Sequence, residues 1–161
     1  MRYFLIILLL PLHLFSQTVH VSDGKIKYKG TVTARGLSKD SIYSLLASSF
    51  SNAQTSNDEK KIVSQGSFRL NSSTYNTIRT IHYTLKLEPG EGQYHYTISD
   101  VYLVTRERGE RTDTTSSGDM LKGLEVSGKR AMLTERGLDE IDMMFQKEIA
   151  RLTTLPSYKQ K

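Results

Sequence analysis

A histidine between two tyrosines, in "GQYHYTISDVYL" from Gly92 to Leu103, is the first place in this chain where acid–base or metal chemistry could be sought. Its companions are few: the other histidines are His13, His20 and His82. Zinc needs three or four converging ligands, and the chain has no HxH pair, no HExxH and no cysteine. No metal or other cofactor is expected. Nucleophilic catalysis has no better footing, because the many serines include no Gly-x-Ser-x-Gly elbow. "GLSKDS" from Gly36 lacks the spacing of a phosphate loop, and the Gly-Lys pairs at Gly24 and Gly128 are expected to have no preceding glycine at Walker distance. Glu107, Glu110 and Asp113 could be imagined as acid and base. They alternate with Arg106, Arg108 and Arg111 and read as a charged exposed loop that continues into a flexible "TDTTSSGD" from Thr112 to Asp119. No catalytic residues are assigned.

The start of the chain carries an address. "MRYFLIILLLPLHLFSQT" has a positive charge at Arg2, an apolar run from Tyr3 to Leu10 and a shorter run ending at Phe15, the layout of a secretory signal peptide. A spanning helix wants about 20 apolar residues, and Pro11 and His13 interrupt this one early. Residues 1–17 are therefore expected to be a cleaved leader, with no transmembrane helix in the mature protein and a periplasmic or extracellular destination. No cysteine follows the run to accept a lipid, and none is available for disulfides. Residues 18–156 make one domain, and 157–161 a disordered tail. The net charge of +5 falls by one when Arg2 leaves, a moderate basic excess rather than a nucleic-acid-binding extreme.

Hydrophobic spacing supplies the elements. In "KIKYKGTVTAR", Ile26, Tyr28, Val32 and Ala34 share one face while Lys25, Lys27, Lys29, Thr31, Thr33 and Arg35 share the other, the period of a half-buried strand. Ser38 can cap a helix whose apolar stripe is Ile42, Leu45, Leu46, Phe50 and Ala53. "SNAQTSNDEKK" reads as a polar connection to a second strand, in which Ile62, Phe68 and Leu70 share a phase with the small Ser64 and Gly66 between them. A hairpin follows, with Ile81, Tyr83, Leu85 and Leu87 on the apolar face, a breaker cluster "EPGEG", and Tyr94, Tyr96 and Ile98 on the return. Facing positions must sum to an odd number, as in Leu87 with Tyr94 or Leu85 with Tyr94. The apolar phase then switches to Val101 and Leu103, which predicts a β-bulge near Ser99 and Asp100. After a short apolar segment from Met120 to Val126, a second helix is expected from a cap at Thr134, with Leu138, Ile141, Phe145, Ile149 and Leu152 as its stripe and Met143 and Met144 at a core edge. Tyr83, Tyr96, Phe68, Leu45 and Phe145 are the expected core between sheet and helices.

These elements make an α+β domain in β-α-β-β-β-α order: an antiparallel sheet of about four to five strands with two helices on one face. The ordered pattern of "YKGTVTARGLSKDSIYSLLASSF", a "GSF" strand, the "IHYTLKLEPGEGQYHYTISDVYL" hairpin and the helix "LDEIDMMFQKEIARL" resembles an uncharacterised domain family with a TATA-binding-protein-like fold, exported by Bacteroidetes-type bacteria. The resemblance runs from Lys25 to Leu152, with Phe50 and Tyr43 standing where the family has aromatics in its first helix. It brings no catalytic residues, and the DNA-binding namesake is a fold analogy only.

Two functions follow from different classes. One is a non-enzymatic envelope domain that docks a protein or an anionic glycan or lipid on its polar sheet face; the other is a hydrolase of an envelope polymer. Docking is preferred, since no nucleophile, base and orienter stand at recognisable spacing. Alternation places Lys25, Lys27, Lys29 and Arg35 on the polar face, and a sheet order like that of the family adds Arg69, His82, Lys86 and His95. His82 and His95 lie too far apart along the hairpin, at about 3.3 Å per residue, to share a metal. The face lacks the stacking platform expected for single-stranded nucleic acid, so nucleic acid is not an expected partner. The plainer possibility is that the lysines only keep an uncovered sheet soluble and discourage edge pairing. N-terminal sequencing of protein recovered from its own envelope should return Gln17 or Thr18, and a sequence starting at Met1 would refute the leader.

Overall fold

The computed structural model describes residues 21–50, 53–56, 59–71, 77–107, 112–122 and 129–156; the leader and the tail lie outside them. The elements are β1 (Val21–Ser22), β2 (Lys25–Ile26), β3 (Tyr28–Thr33), α1 (Lys39–Ser49), β4 (Gln54–Ser56), β5 (Lys61–Arg69), β6 (Thr77–Gly90), β7 (Gln93–Glu107), β8 (Thr112–Ser116), α2 (Ser117–Lys122) and α3 (Lys129–Thr154). β1 and β2 form a small ribbon whose Asp23-Gly24 turn has positive φ at both positions, as a tight hairpin requires. The remaining strands form one six-stranded sheet in the order β3-β7-β6-β5-β4, and β8 pairs with β7 beyond the end of β3. Every pairing is antiparallel. The fold is α+β, with a sheet larger than expected.

Local chemistry explains the boundaries. Ser38 caps α1 by accepting from the Ser41 backbone N–H at 3.3 Å, and Asp40 places negative charge in the first turn. Ile42, Leu45 and Leu46 turn inward from it. In β6 and β7, Leu87 faces Tyr96 and Pro89 faces Tyr94, so the odd sum holds but neither Leu87 nor Leu85 faces Tyr94. The strand runs on through Pro89 because the turn needs only Glu91 and Gly92, the latter at φ 65°. Pro89 lies past the last β5 pair, Ile62 with Leu87, where its missing N–H costs the sheet nothing. The bulge falls where the phase switch placed it: Asp100 and Val101 together oppose Tyr83, and Asp100 takes φ 54°.

Other expectations are corrected. The first strand is two, β2 in the ribbon and β3 in the sheet. The polar connection holds β4, which pairs with β5 from Gln54 opposite Val63 to Ser56 opposite Lys61. The supposed flexible run at Thr112 is β8, since its β-branched threonines fit a pleated edge. Glu107 and Asp113 accordingly lie in strands; Glu110 lies outside the described residues. At the end of β8, Ser116 accepts from the Asp119 N–H at 3.2 Å and so caps α2, which buries Met120. Thr134 is no cap, because α3 begins at Lys129 and passes through it; Ala131, Met132 and Leu133 are good helix formers that extend the helix backward. Met143 faces solvent rather than a core edge.

α1 and α3 cover one face of the sheet. Between them lie Tyr28, Ile62, Ile81, Tyr83, Leu85, Leu87, Tyr94, Ile98 and Phe145, all buried, with Leu45 also buried and Phe68 and Tyr96 packed against the cluster. Phe145 is the hub: its ring meets those of Tyr28, Phe68 and Tyr83 at centroid distances of 5.0, 5.3 and 5.2 Å. Two tyrosines lie over glycines on the neighbouring strand. A Cβ on Gly66 would meet the Tyr83 ring at 2.2 Å, and one on Gly30 would meet the Tyr96 hydroxyl at 2.4 Å. The small residues in the apolar phase of β3 and β5 are therefore seats for aromatic rings.

Buried phenols also tie α3 to the sheet. Tyr28 donates to Asp142 Oδ1 at 2.7 Å, and Tyr94 donates to the Leu152 carbonyl. Asp142 is itself buried, and its Oδ2 has no partner among the described residues. Burial pushes the Tyr83 and Tyr94 phenols up to about 12. Burial first, and then the hydrogen bond to Asp142, carries Tyr28 higher still.

Substituting Gly66 by Ala should cost about 1–3 kcal/mol through overpacking against a ring that Phe68 and Phe145 hold in place. In a double-mutant cycle the Gly66→Ala penalty should largely disappear when Tyr83 is already Ala; equal penalties in both backgrounds would disprove the ring seat. The phenols set an alkaline limit. Each keeps its proton in the folded chain but loses it near pH 10 when unfolded, so the stabilisation is complete below about pH 10 and is lost as pH rises towards about 12. The urea midpoint should fall between about pH 10 and pH 12 more steeply in the parent than in Tyr94→Phe.

Candidate functional site

The other face of the sheet is covered by no described element, and cross-strand register arranges it in rows. One row runs Thr31, His95, Glu88, with Lys61 at the start of β5 beside Glu88, and the next Lys29, Thr97, Lys86, Val63. Across the bulge the rows are Ser116, Tyr102, His82, Ser67, then Thr114, Val104, Thr80, Arg69, and finally Thr112, Arg106, Ile78. Thr84 and Gln65 hydrogen-bond in the middle, where Thr84 is the buried residue of the face.

Of the residues expected here, the structure brings Lys29, Lys86 and His95 together. Lys29 and Lys86 flank Thr97 from strands on either side of β7, so their Cα atoms are about 10 Å apart. His95 is one row away and shares a 2.8 Å hydrogen bond with Thr31 Oγ1. His82 lies six positions along β6 from Glu88, the partner of His95, and stacks on Tyr102 instead. Arg69 is at the far end of the same face, roughly 20 Å from Lys86 along the strands. Lys25 belongs to the ribbon, Lys27 to the junction before β3, and Arg35 to the bend after it, so these three border the sheet face rather than line it.

Charge on the face is predominantly positive, with Asp100, which accepts from the Ser99 hydroxyl at 3.0 Å, as a carboxylate at the bulge. Lys29, Lys86, Arg69 and Arg106 have no ion-pair partner among the described residues, whereas the carboxylate of Glu88 sits 3.7 Å from Lys61, which Glu59 also holds at 2.9 Å. Arg106 and Tyr102 were missed as site residues in the sequence reading. The signal was present: a bulge that turns Val101 and Leu103 inward must turn Tyr102, Val104 and Arg106 outward.

The first row sets a hydroxyl, an imidazole and a carboxylate side by side in the order of a nucleophile, a base and an orienter. Glu88 turns to Lys61, however, and Thr31, His95 and Glu88 are all exposed, so water screens the row and no enclosed site surrounds it. Around Gly128 the glycine spacing of a phosphate loop does exist, with Gly123 five residues earlier, but Arg130 follows Lys129 where that motif needs Ser or Thr. Residues 123–128 lie outside the described part. Among the described residues no three His, Asp or Glu side chains are placed to hold a metal, and no helix is long and apolar enough to cross a membrane.

No protein-family model and no curated protein matches the chain. Among solved structures it is similar to a TBP-like protein from Parabacteroides distasonis, with TM-score 0.70 and 14% identity over 86% of this chain and 97% of that one. It is also similar to a DUF4468 family protein from Bacteroides ovatus, with TM-score 0.66 and 12% identity over 88% of this chain and 91% of that one. Likeness at such identity is likeness of fold: an antiparallel sheet with helices on one face and the other left open, the TBP-like fold of these Bacteroidetes proteins.

Proposed function

We propose that this protein is an exported, non-enzymatic module of the bacterial envelope that docks an anionic partner on its open sheet face. The observation that carries the reading is the charge imbalance there: four cations without ion-pair partners against two carboxylates, Glu88 already engaged by Lys61 and Asp100 bonded to the Ser99 hydroxyl. A surface serving solubility alone gains nothing from an excess of one sign on one face, because interspersed charges of both signs solubilise as well. Lysines on a flat wall attract an extended anion without enclosing it, which suits docking rather than turnover. The leader-like start of the chain supports export, and the sources of the structural neighbours support a bacterial setting.

Binding to polygalacturonate and to polyglutamate at low salt tests this. Reversing both Lys29 and Lys86 to Glu should weaken binding about tenfold or more, and raising the salt should weaken the parent in the same direction. Undiminished binding by the double variant would refute the site. Hydrolysis of an envelope polymer that disappears in His95→Ala would refute the non-enzymatic assignment.

A further inference from the structure

Beyond the lysine rows, the bulged end of the open face carries a different chemistry. His82 and Tyr102, directly opposite on β6 and β7, stack with centroids 5.1 Å apart and planes 10° from parallel. That separation is close to the strand spacing of about 4.8 Å, so the rings stand face to face across the gap between strands. The next residues outward in the row are serines, Ser67 beside His82 and Ser116 beside Tyr102, too small to cover the outer faces of the pair. Tyr102 is 38% exposed, and Ile78, farther down the same face, is 39% exposed. Large apolar side chains are thus held in water beside Arg69 and Arg106.

We infer that this end of the sheet is a platform for an acidic saccharide, with the Tyr102–His82 pair packing on sugar rings and Arg69 and Arg106 holding carboxylate or sulfate groups. The inference rests on the docking reading of the same face and names its partner. A sugar ring offers an apolar C–H surface with hydroxyls at its rim, and each part has its complement here. The aromatic pair supplies an apolar wall with polar tips. Thr80, Thr114 and Ser67 bring hydroxyls that both donate and accept, and none has a hydrogen-bond partner among the described residues. Guanidinium groups pair bidentately with carboxylates. Ser116 is already engaged by Asp119, whose charge Lys122 answers, so no free anion faces the platform from that side. An acidic peptide would use the cations and leave the rings idle. The stacked pair corrects the expectation of a face without an aromatic platform, but a single pair whose inner faces cover each other lacks the succession of free ring faces on which the bases of a single strand stack.

Calorimetry with three probes of matched charge decides the matter: oligogalacturonate, oligoglutamate and oligothymidylate. Tyr102→Ala should weaken oligogalacturonate binding about tenfold, Tyr102→Phe should leave it within a few-fold, and neither should change oligoglutamate binding. Thermal midpoints alongside show that the variants stay folded. Unchanged oligogalacturonate affinity in folded Tyr102→Ala overturns the platform, as does tighter binding of oligothymidylate. Oligoglutamate binding without oligogalacturonate binding overturns the saccharide while the docking face stands. If none of the probes binds the parent at low salt, both readings fall.

Discussion

One extra residue in β7 governs what the two faces of the sheet present. Asp100 and Val101 share a single partner, Tyr83, and the left-handed backbone at Asp100 absorbs the surplus. Without it, an inward Ile98 would send Val101 and Leu103 to water and bury Tyr102 and Arg106. With it, both halves of a fifteen-residue strand keep their apolar side on the helices, and Tyr102 meets His82 in the open. Asp is among the few side chains that tolerate this conformation readily, so the residue type and the register depend on each other.

The core answers to the same economy of shape. Tyrosine rings reach over glycines on adjacent strands, and the glycines are as necessary as the rings. The buried phenols of Tyr28 and Tyr94 find acceptors on α3, at Asp142 and at the Leu152 carbonyl. The helix is thus positioned by hydrogen bonds as well as by the packing of Phe145. The burial that holds the helices on one face leaves the opposite face free to specialise in charge and hydroxyls.

Much of this was legible in the sequence, for physical reasons. Alternation survives wherever one face is buried, so the phases of β3, β6 and β7 and the bulge could be read directly, and Ser38 announced α1 by its side chain. Short edge strands left no such trace. β4 and β8 are polar on both sides and exist because a neighbour offers them hydrogen bonds, which composition cannot reveal. The exact hairpin register was hidden for a related reason, since parity follows from the apolar pattern but the turn length decides the pairing. On the open face, alternation identified Lys29, Lys86 and His95 as neighbours in kind. Their neighbourhood in space needed the strand order, and the ends of the strand carried Lys25 and Arg35 off the face.

The closing of the core by α3 also bears on how the fold is reached. β3 finds its partner β7 some 65 residues later, Tyr28 finds Asp142 across 114 residues, and Tyr94 waits for Leu152. Loop closure must precede the reward in each case, which makes folding slow relative to helical chains of this size. A chain still being synthesised can form its hairpins but cannot complete the layer that holds them, because the last turns of the last helix supply Phe145 and Leu152. The core between sheet and helices can therefore close only once α3 has been made, and until then the hairpins keep their apolar face open.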